Sequence, residues 1–595
     1  MSHDQSHRYE WNTIPWRKLE VRVFKLQRRI YQATKRGEVS KTRRLQKLLT
    51  SSWSAKSLAV RRVTQENQGK KTAGVDGKKN LAPVQRLKLI QNMDLHKPAT
   101  PALRKWVPKP GKSEQRPLGI PIIHDRATQA LVKQALEPEW EAKFEPNSFG
   151  FRPGRSCHDA IAQMFLVIMN QPRYVLDADI ASCFDRIDQA ALLEKMHTSP
   201  HFARPIQAWL KAGVVDAGIF MPTDRGTPQG GVISPLLANI ALHGLEDVVR
   251  KTRGPSKRVI GGKRVTNNVH CIRYADDFVV FHNTWEGIQR SKEAIQEWLQ
   301  GMGLELKDAK TRFAHTLEEK AECGGNVGFD FLGFTVRQFH VGKRHTKTQA
   351  SYKTIIKPSK HSMQRHYQAL AAVIERMKAA TMDEVIRTLN PKISGWCNYY
   401  RHEVSTRAFS KLDEMLWRKM FGWARRKHPK KSAKWVHNTY HTRIGKALRI
   451  TGETRVLRKH SATHIARHTQ LKRDASPYDG QWSYWGTRRG KYIGLETTRG
   501  KLLKHQDGRC THCRLFFTVD GKIEVHHADG NRKNHTFGNL RLMHLVCHDL
   551  AHGQGGKDAK RQPSTKSRTH DKSKTIEEPC AGKLASTVLE TSREG

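Results

Sequence analysis

A multidomain α+β chain, with a helical segment and a small metal-stapled module behind its core, is the architecture this sequence predicts. Three observations predict it. At 595 residues the chain is too long for one hydrophobic core. From about residue 100 to 340, β-prone runs such as Tyr174 to Ile180 and Cys271 to Phe281 alternate with helical stretches. After residue 500, cysteines and histidines gather at metal-ligand spacings.

Residues 17 to about 60 come first. Leu19, Val23, Leu26, Ile30 and then Leu45, Leu48, Leu49 recur at helical spacing among basic residues, so amphipathic helices are expected. The stretch Gly69-Lys-Lys-Thr-Ala-Gly74-Val-Asp-Gly77 lacks the Gly-Lys-Ser/Thr ending of a nucleotide P-loop and reads as a loop making backbone contacts. Residues 360 to 450 read as helical, 450 to 500 as a basic linker region containing Tyr478, Trp482, Tyr484 and Trp485, and 502 to 556 as a compact Cys/His module. Residues 557–595 carry Lys, Ser, Thr and Glu without periodicity, the signature of a disordered tail. No internal repeat is present.

Lys and Arg total 106 against 55 acidic residues, a formal charge of +51 with basic residues spread from Arg8 through Arg17 to Arg593. Such a field opposes compaction and attracts polyanions, so nucleic acid, bound largely through its phosphates, is the expected partner. No apolar stretch approaches the roughly 18 residues needed to span a membrane, and the first residues carry no secretory core. Nine scattered cysteines do not make a disulfide framework, which fits a reducing, cytoplasmic compartment and a protein that is not secreted.

Asp276 and Asp277 stand between β-prone apolar runs, in His270-Cys-Ile-Arg-Tyr274-Ala-Asp276-Asp277-Phe-Val-Val-Phe281, where a tight turn on a buried hairpin is expected. Two carboxylates there repel each other and resist desolvation, and divalent metal ions relieve both problems. An earlier strand end carries Asp177 and Asp179, which share a strand face, so spacing alone does not choose between them. One of these meeting Asp276 and Asp277 forms a hard oxygen site suited to two Mg2+ ions about 3.5–4 Å apart.

Further motifs follow in order: Lys109-Pro-Gly-Lys112, Arg116-Pro-Leu-Gly-Ile-Pro121, Ser148-Phe-Gly-Phe-Arg152-Pro-Gly-Arg155-Ser156, Gly226-Thr-Pro-Gln229-Gly-Gly-Val-Ile-Ser234-Pro, Lys310-Thr311 and Gly328-Phe-Asp-Phe-Leu-Gly-Phe334. With Tyr274-Ala-Asp-Asp277 these resemble the consecutive reverse transcriptase blocks of group II intron-encoded proteins. The resemblance implies a right-hand polymerase with fingers and palm over 76–345 and a basic helical extension of the fingers over 1–75. It selects Asp179 as the third metal ligand, leaves Asp177 in support, and makes Phe184 the steric gate against a ribose 2′-hydroxyl. Lys109 and Arg116 become candidates for the incoming triphosphate, and Gln229 for the nucleotide pocket. Arg152 and Lys310 are candidate substrate contacts that equally fit surface phosphate binding.

The next segment runs Leu389-Asn-Pro391-Lys-Ile-Ser-Gly395-Trp396-Cys-Asn-Tyr399-Tyr400-Arg401, then Phe409, Leu412, Leu416-Trp417 and Trp423. Its spacing makes most of these aromatics core. Its position resembles the thumb and maturase domain X of the same family, here 355–450, which implies binding of intron RNA and assistance to splicing by aromatic stacking and backbone cations.

In the C-terminal module, Cys510, Cys513, His544 and Cys547 have the types and spacing of a tetrahedral structural Zn2+ site. His526, His527, Asn539, His548 and His552 resemble the HNH, or ββα-metal, nuclease motif. That resemblance makes His527 the general base, His526, His548 and His552 ligands of a divalent metal, and Asn539 the brace of the ββ hairpin, with the role of Glu524 left open. Region 451–501 lies where the family carries its DNA-binding region. Together these imply an enzyme that nicks target DNA, extends the new 3′ end with dNTPs while copying intron RNA, and resides with its ribonucleoprotein on the bacterial nucleoid. The competing expectations are an RNA-binding splicing factor with vestigial polymerase and nuclease, and a standalone HNH endonuclease that leaves the first 450 residues without a purpose.

Overall fold

A computed structural model describes residues 10–552, apart from 109–113, 255–256, 261–262, 267, 343–350, 446, 473, 494 and 520. Lys109 and the tail 557–595 therefore lie outside the described residues.

The fold is mixed α/β. Helices Trp16–Lys35, Val39–Ser51 and Trp53–Arg61 pack on the long helix Ile123–Lys143. Leu19, Val23, Ile30, Leu45 and Leu49 turn inward as their spacing predicts, whereas Leu48 is 51% exposed. Leu45 and Leu49 already fill the one inward stripe of a basic helix, and Leu48 falls one position outside it. The glycine-rich loop packs against protein backbone: a Cβ on Gly74 would lie 2.8 Å from Ile122 Cα. Strands Ala102–Pro108 and Gln115–Ile120 form a hairpin that continues through Val214–Asp216 and Ile219–Met221 into a four-stranded sheet.

A second four-stranded sheet holds β1 (Tyr174–Asp179), β2 (His270–Tyr274), β3 (Asp277–His282) and β4 (Arg312–His315), in the antiparallel order β4-β1-β3-β2. Both of its faces are buried, and the period of two divides them. Leu176, Ala178, Phe278 and Val280 join the core that contains the N-terminal helices. Val175, Ile272, Val279 and Phe281 join a second core shared with the helices after residue 360. By the same alternation Asp177, Asp179 and Asp277 project on the second face, at one end of the sheet.

Strands Phe329–Phe331, Phe334–His340 and Tyr352–Pro358 make an antiparallel meander, with Phe334 opposite Pro358 and His340 opposite Tyr352. The expected boundary at 345 to 355 thus falls inside a sheet. The short alternating run Tyr352–Pro358 is a strand because Phe334–His340 offers it a partner, which no local pattern reveals. Helices Lys360–Arg376, Met382–Tyr400, Thr406–Lys427 and Ala433–Tyr440 follow, then a hairpin, His441–Ile444 with Ala447–Ile450. Thr381 and Glu384 form a capping box at the start of the second of these helices. Phe409, Leu412, Leu416 and Trp423 are buried, as their spacing predicts.

The chain then runs back over the first half of the molecule. Tyr478 Oη donates to Glu137 Oε2 at 2.9 Å, Arg488 and His468 both bond the buried Asp159 carboxylate, and Arg17 Nη2 donates to Leu495 O at 2.6 Å. Tyr478 and Trp485 are 6% and 1% exposed, so these two aromatics of the basic region are packing residues. Helix Thr497–His505, strands Ile523–His527 and Leu540–His544, and helix Leu545–Ala551 form a last unit around Leu502, Leu503, Phe517, Leu540 and Leu542. No described helix is long and apolar enough to cross a membrane.

Candidate active site and C-terminal metal cluster

The β2–β3 hairpin closes with Tyr274 paired to Asp277, leaving Ala275 and Asp276 as its two-residue turn. Ala275 has φ 60°, the left-handed region that twisted hairpin turns require and that costs a residue with a Cβ. The surroundings hold it there. Gly150 lies so close that a Cβ on it would be 2.3 Å from Ala275 N. The buried Arg273 guanidinium donates to Ala275 O at 3.1 Å and to Asn239 Oδ1 at 2.9 Å, and Asn239 Nδ2 donates to Gly150 O at 2.8 Å. Gly150→Ala should therefore displace the turn. We expect a loss of about 2–4 kcal/mol in denaturant unfolding, with primer extension falling more steeply than stability.

Asp179 sits directly opposite Asp277 in the β1–β3 register, and Asp276 is next along the turn. Like charges at facing positions are unfavourable, and the site is largely buried. Burial, followed by Asp276 and Asp179, pushes the Asp277 carboxyl up to about 7. Burial and then Asp179 also raise Asp276. Lys310 forms an ion pair with Asp179, and Arg312 Nε donates to Asp177 Oδ2 at 2.9 Å. Burial raises Asp177 as well, against the opposing pull of Arg312. Three converging carboxylates, two of them, Asp276 and Asp277, with their charged forms disfavoured, are a donor set that fits hard divalent cations.

This arrangement gives a pH signature. Asp277 keeps its proton in the folded chain up to about pH 7, while an unfolded aspartate loses it near pH 4. The folded state thus binds more protons between these values, so its stability falls as pH rises through that window. Mg2+ binds the ionised form. The melting temperature should rise more on adding Mg2+ at about pH 8 than at about pH 6; scanning calorimetry that finds an equal or smaller rise at the higher pH contradicts this.

Phe184 lies just past the end of β1, its ring edge-on to Phe151 at 6.1 Å between centroids. Gln229 Nε2 donates to Asp185 Oδ2 at 3.2 Å. Thr227 N bonds Phe184 O at 2.6 Å, so the Gly226–Gln229 loop is stitched to the helix that carries Phe184. Arg116 is exposed on its strand and near enough to favour the charged form of Asp276. Asp185 and Arg273 were missed by the sequence reading. Arg273 leaves one trace there, a charged residue at an interior position of a buried strand.

Comparison with known proteins decides the family. The family model for "Reverse transcriptase (RNA-dependent DNA polymerase)" matches residues 107–336, that for "N-terminal domain of reverse transcriptase" residues 11–93, and that for "Group II intron, maturase-specific domain" residues 363–441. Protein YkfC of Escherichia coli (strain K12) is 32% identical over 327 residues, which cover 49% of this chain and 82% of that protein. Group II intron-encoded protein LtrA of Lactococcus lactis subsp. cremoris is 28% identical over 399 residues, 56% of this chain and 66% of LtrA. Maturase-like protein 1 of Euglena gracilis is 25% identical over 398 residues, 65% of this chain and 76% of that protein.

The chain belongs to the group II intron-encoded reverse transcriptase/maturase family. Asp179, Asp276 and Asp277 of this reverse transcriptase/maturase fall inside the reverse transcriptase match, and the domain implies use of Mg2+. The maturase match, which covers most of the helices after 360, implies binding of intron RNA.

One expected substrate contact is corrected. Arg152 is 6% exposed; its guanidinium grips both Glu141 oxygens at 2.8 and 3.0 Å and donates to the carbonyls of Glu145 and Ser148. With these donors engaged inside the core, Arg152 holds the loop that carries Gly150. Lys310, by contrast, reaches the acids.

In the C-terminal unit of the reverse transcriptase/maturase, Cys510, Cys513, His544 and Cys547 bring their donor atoms within 4.8 Å of one another. His526, His548 and His552 do the same in a second cluster. Burial alone would raise Cys510, but backbone N–H groups, including those of Cys513 and His544, outweigh it and hold the thiol down to about 6; burial and the neighbouring thiols push Cys547 up to about 12. Two soft thiols, one more at the edge, and an imidazole fit Zn2+. His527 points away from the three-histidine cluster, since alternate strand residues face opposite sides, and its Nε2 lies 3.4 Å from Nδ1 of His535. Asn539 donates to Asp529 Oδ1 at 2.8 Å and accepts from Asp529 N at 3.0 Å, tying down the loop between the two strands. Glu524 pairs with Arg499 at 3.2 Å and stands outside both clusters.

Proposed function

We propose that this reverse transcriptase/maturase copies its intron RNA into DNA, assists the splicing of that RNA, and nicks target DNA to create the primer. The observation that carries the proposal is the Asp179–Asp277 cross-strand pair with Asp276 on the adjoining turn. In this reading the two four-stranded sheets and N-terminal helices are fingers and palm, the helices after 360 are the thumb, and residues 451–501 with the C-terminal unit face DNA.

Bound Mg2+ supplies acidity to the primer 3′-hydroxyl and neutralises charge on the transferring phosphate. Asp179, Asp276 and Asp277 hold it. Lys310 supplies the counter-charge to Asp179 at the edge of the acid-lined cavity, where a substrate phosphate would meet it. Arg116 binds the triphosphate, Gln229 lines the nucleotide pocket, and the Phe184 ring crowds a 2′-hydroxyl. At the other centre His527 takes a proton from the attacking water, while His526, His548 and His552 hold the metal and the four Cys/His donors staple the fold around it. The ββα order of strands and helix and the two donor clusters support this assignment.

Primer extension tests the polymerase. RNA-free protein given an RNA template, an annealed DNA primer, dNTPs and Mg2+ should make cDNA; none over a wide range of Mg2+ contradicts the proposal.

A further inference from the structure

The Gly328–Phe334 motif closes its own hairpin through Leu332 and Gly333, and this turn is strained. Leu332 has φ 49° and Gly333 φ 83°, so a leucine occupies the left-handed region where its Cβ is penalised. Two tyrosines of the maturase-matched helix Met382–Tyr400 hold it. Tyr399 Oη donates to Leu332 O at 2.9 Å and Tyr400 Oη to Gly333 O at 3.2 Å. Ser362 hydrogen-bonds the Tyr400 hydroxyl, and both tyrosine rings pack on Phe334, 5.5 and 4.9 Å away between centroids. A Cβ on Gly333 would lie 2.6 Å from Tyr400 Oη, so nothing larger fits beneath that hydroxyl.

The turn stands between two cavities. One, of about 370 Å3, is lined by Leu332 together with Asp177, Asp179, Asp277 and Lys310. The other, of about 410 Å3, is lined by Leu332 and Gly333 with Arg365, Trp396 and Tyr400. Phosphoryl transfer requires the attacking oxygen and the leaving pyrophosphate to lie in line. Arg116, the candidate triphosphate contact, acts on Asp276 and stands outside the first cavity, and Phe184 and Gln229 lie beyond the end of β1. The Leu332 turn borders the cavity that extends back along β1 past Asp177, away from the triphosphate contact and so, in the polymerase reading, on the side of the attacking 3′-hydroxyl.

We propose that Tyr399 and Tyr400 are positioning residues of the polymerase centre, whose hydroxyls hold the Leu332–Gly333 turn in the conformation that seats the primer terminus against Asp179 and Asp277. The inference rests on the polymerase reading above. It gives part of the maturase domain a direct duty in DNA synthesis, with no RNA fold between them.

Tyr399→Phe with Tyr400→Phe removes the two hydroxyls and keeps both rings on Phe334. On an oligo(dT) primer annealed to poly(rA), KM for primer–template should rise about tenfold, the loss expected from two modest hydrogen bonds, while KM for dTTP stays at its wild-type value. An unchanged primer KM overturns the proposal. So does a parallel rise in both KM values, because a merely structural role moves both. Wild-type protein that extends nothing overturns the polymerase reading itself, which separates the two failures.

Discussion

Asp276→Ala should lower cDNA synthesis by about 10³-fold or more, roughly 4 kcal/mol of transition-state stabilisation, and leave intron RNA binding unchanged. The side chain caps a turn whose position is fixed by Ala275, Arg273 and Gly150, none of which it supports, so the substitution removes a metal ligand with little change of fold. The same geometry predicts a second effect of opposite sign. Asp276 is the leading charge that raises Asp277. Without it, Asp277 ionises at lower pH, and the metal-free protein should be no less stable than wild type near neutral pH, with a smaller stability gain from Mg2+. Primer extension and thermal melting of one preparation check both; a variant that melts early and loses RNA binding as well contradicts the assignment.

Cys510→Ala should remove the Zn2+ and the fold of the C-terminal unit together. Cys510 is fully buried, and the unit's apolar core is a handful of side chains, too few to stand alone. Metal analysis should find the Zn2+ lost, limited proteolysis should cut within 502–552, and DNA nicking should disappear. cDNA synthesis from a supplied primer should stay within about twofold, since none of the polymerase acids touches this unit. Retained nicking in a Zn2+-free variant contradicts the role given to the cluster.

Much of the polymerase site was legible in the sequence because its geometry is local or periodic. A tight turn brings Asp276 beside Asp277, and the two-residue strand period puts Asp177 and Asp179 on one face. The choice of Asp179 over Asp177 came from resemblance; in the β1–β3 register Asp179 lies opposite Asp277 and Asp177 opposite Val279. The C-terminal donors were legible for the same reason, since their spacings are those of a knuckle and a helix turn. What failed is long-range. Arg152 resembles a phosphate contact until Glu141, on the preceding helix, takes up its fork. Strand Tyr352–Pro358 needs its partner to exist, and the spacing that makes most aromatics of the maturase-like segment core says nothing of the Tyr399 and Tyr400 hydroxyls, which bond a turn 67 positions earlier. His535 carries no motif, and only the folded loop brings it to His527.

The central claim is that one centre extends the DNA end that the other has cut. The most direct measurement incubates protein and intron RNA with duplex DNA from the locus flanking the gene, and looks for cDNA joined covalently to that DNA. Wild-type protein should form the joined product, and His527→Ala should form none on intact duplex yet recover wild-type yield on the same duplex with a nick already supplied. Joined product at wild-type yield from His527→Ala on intact duplex would contradict the account.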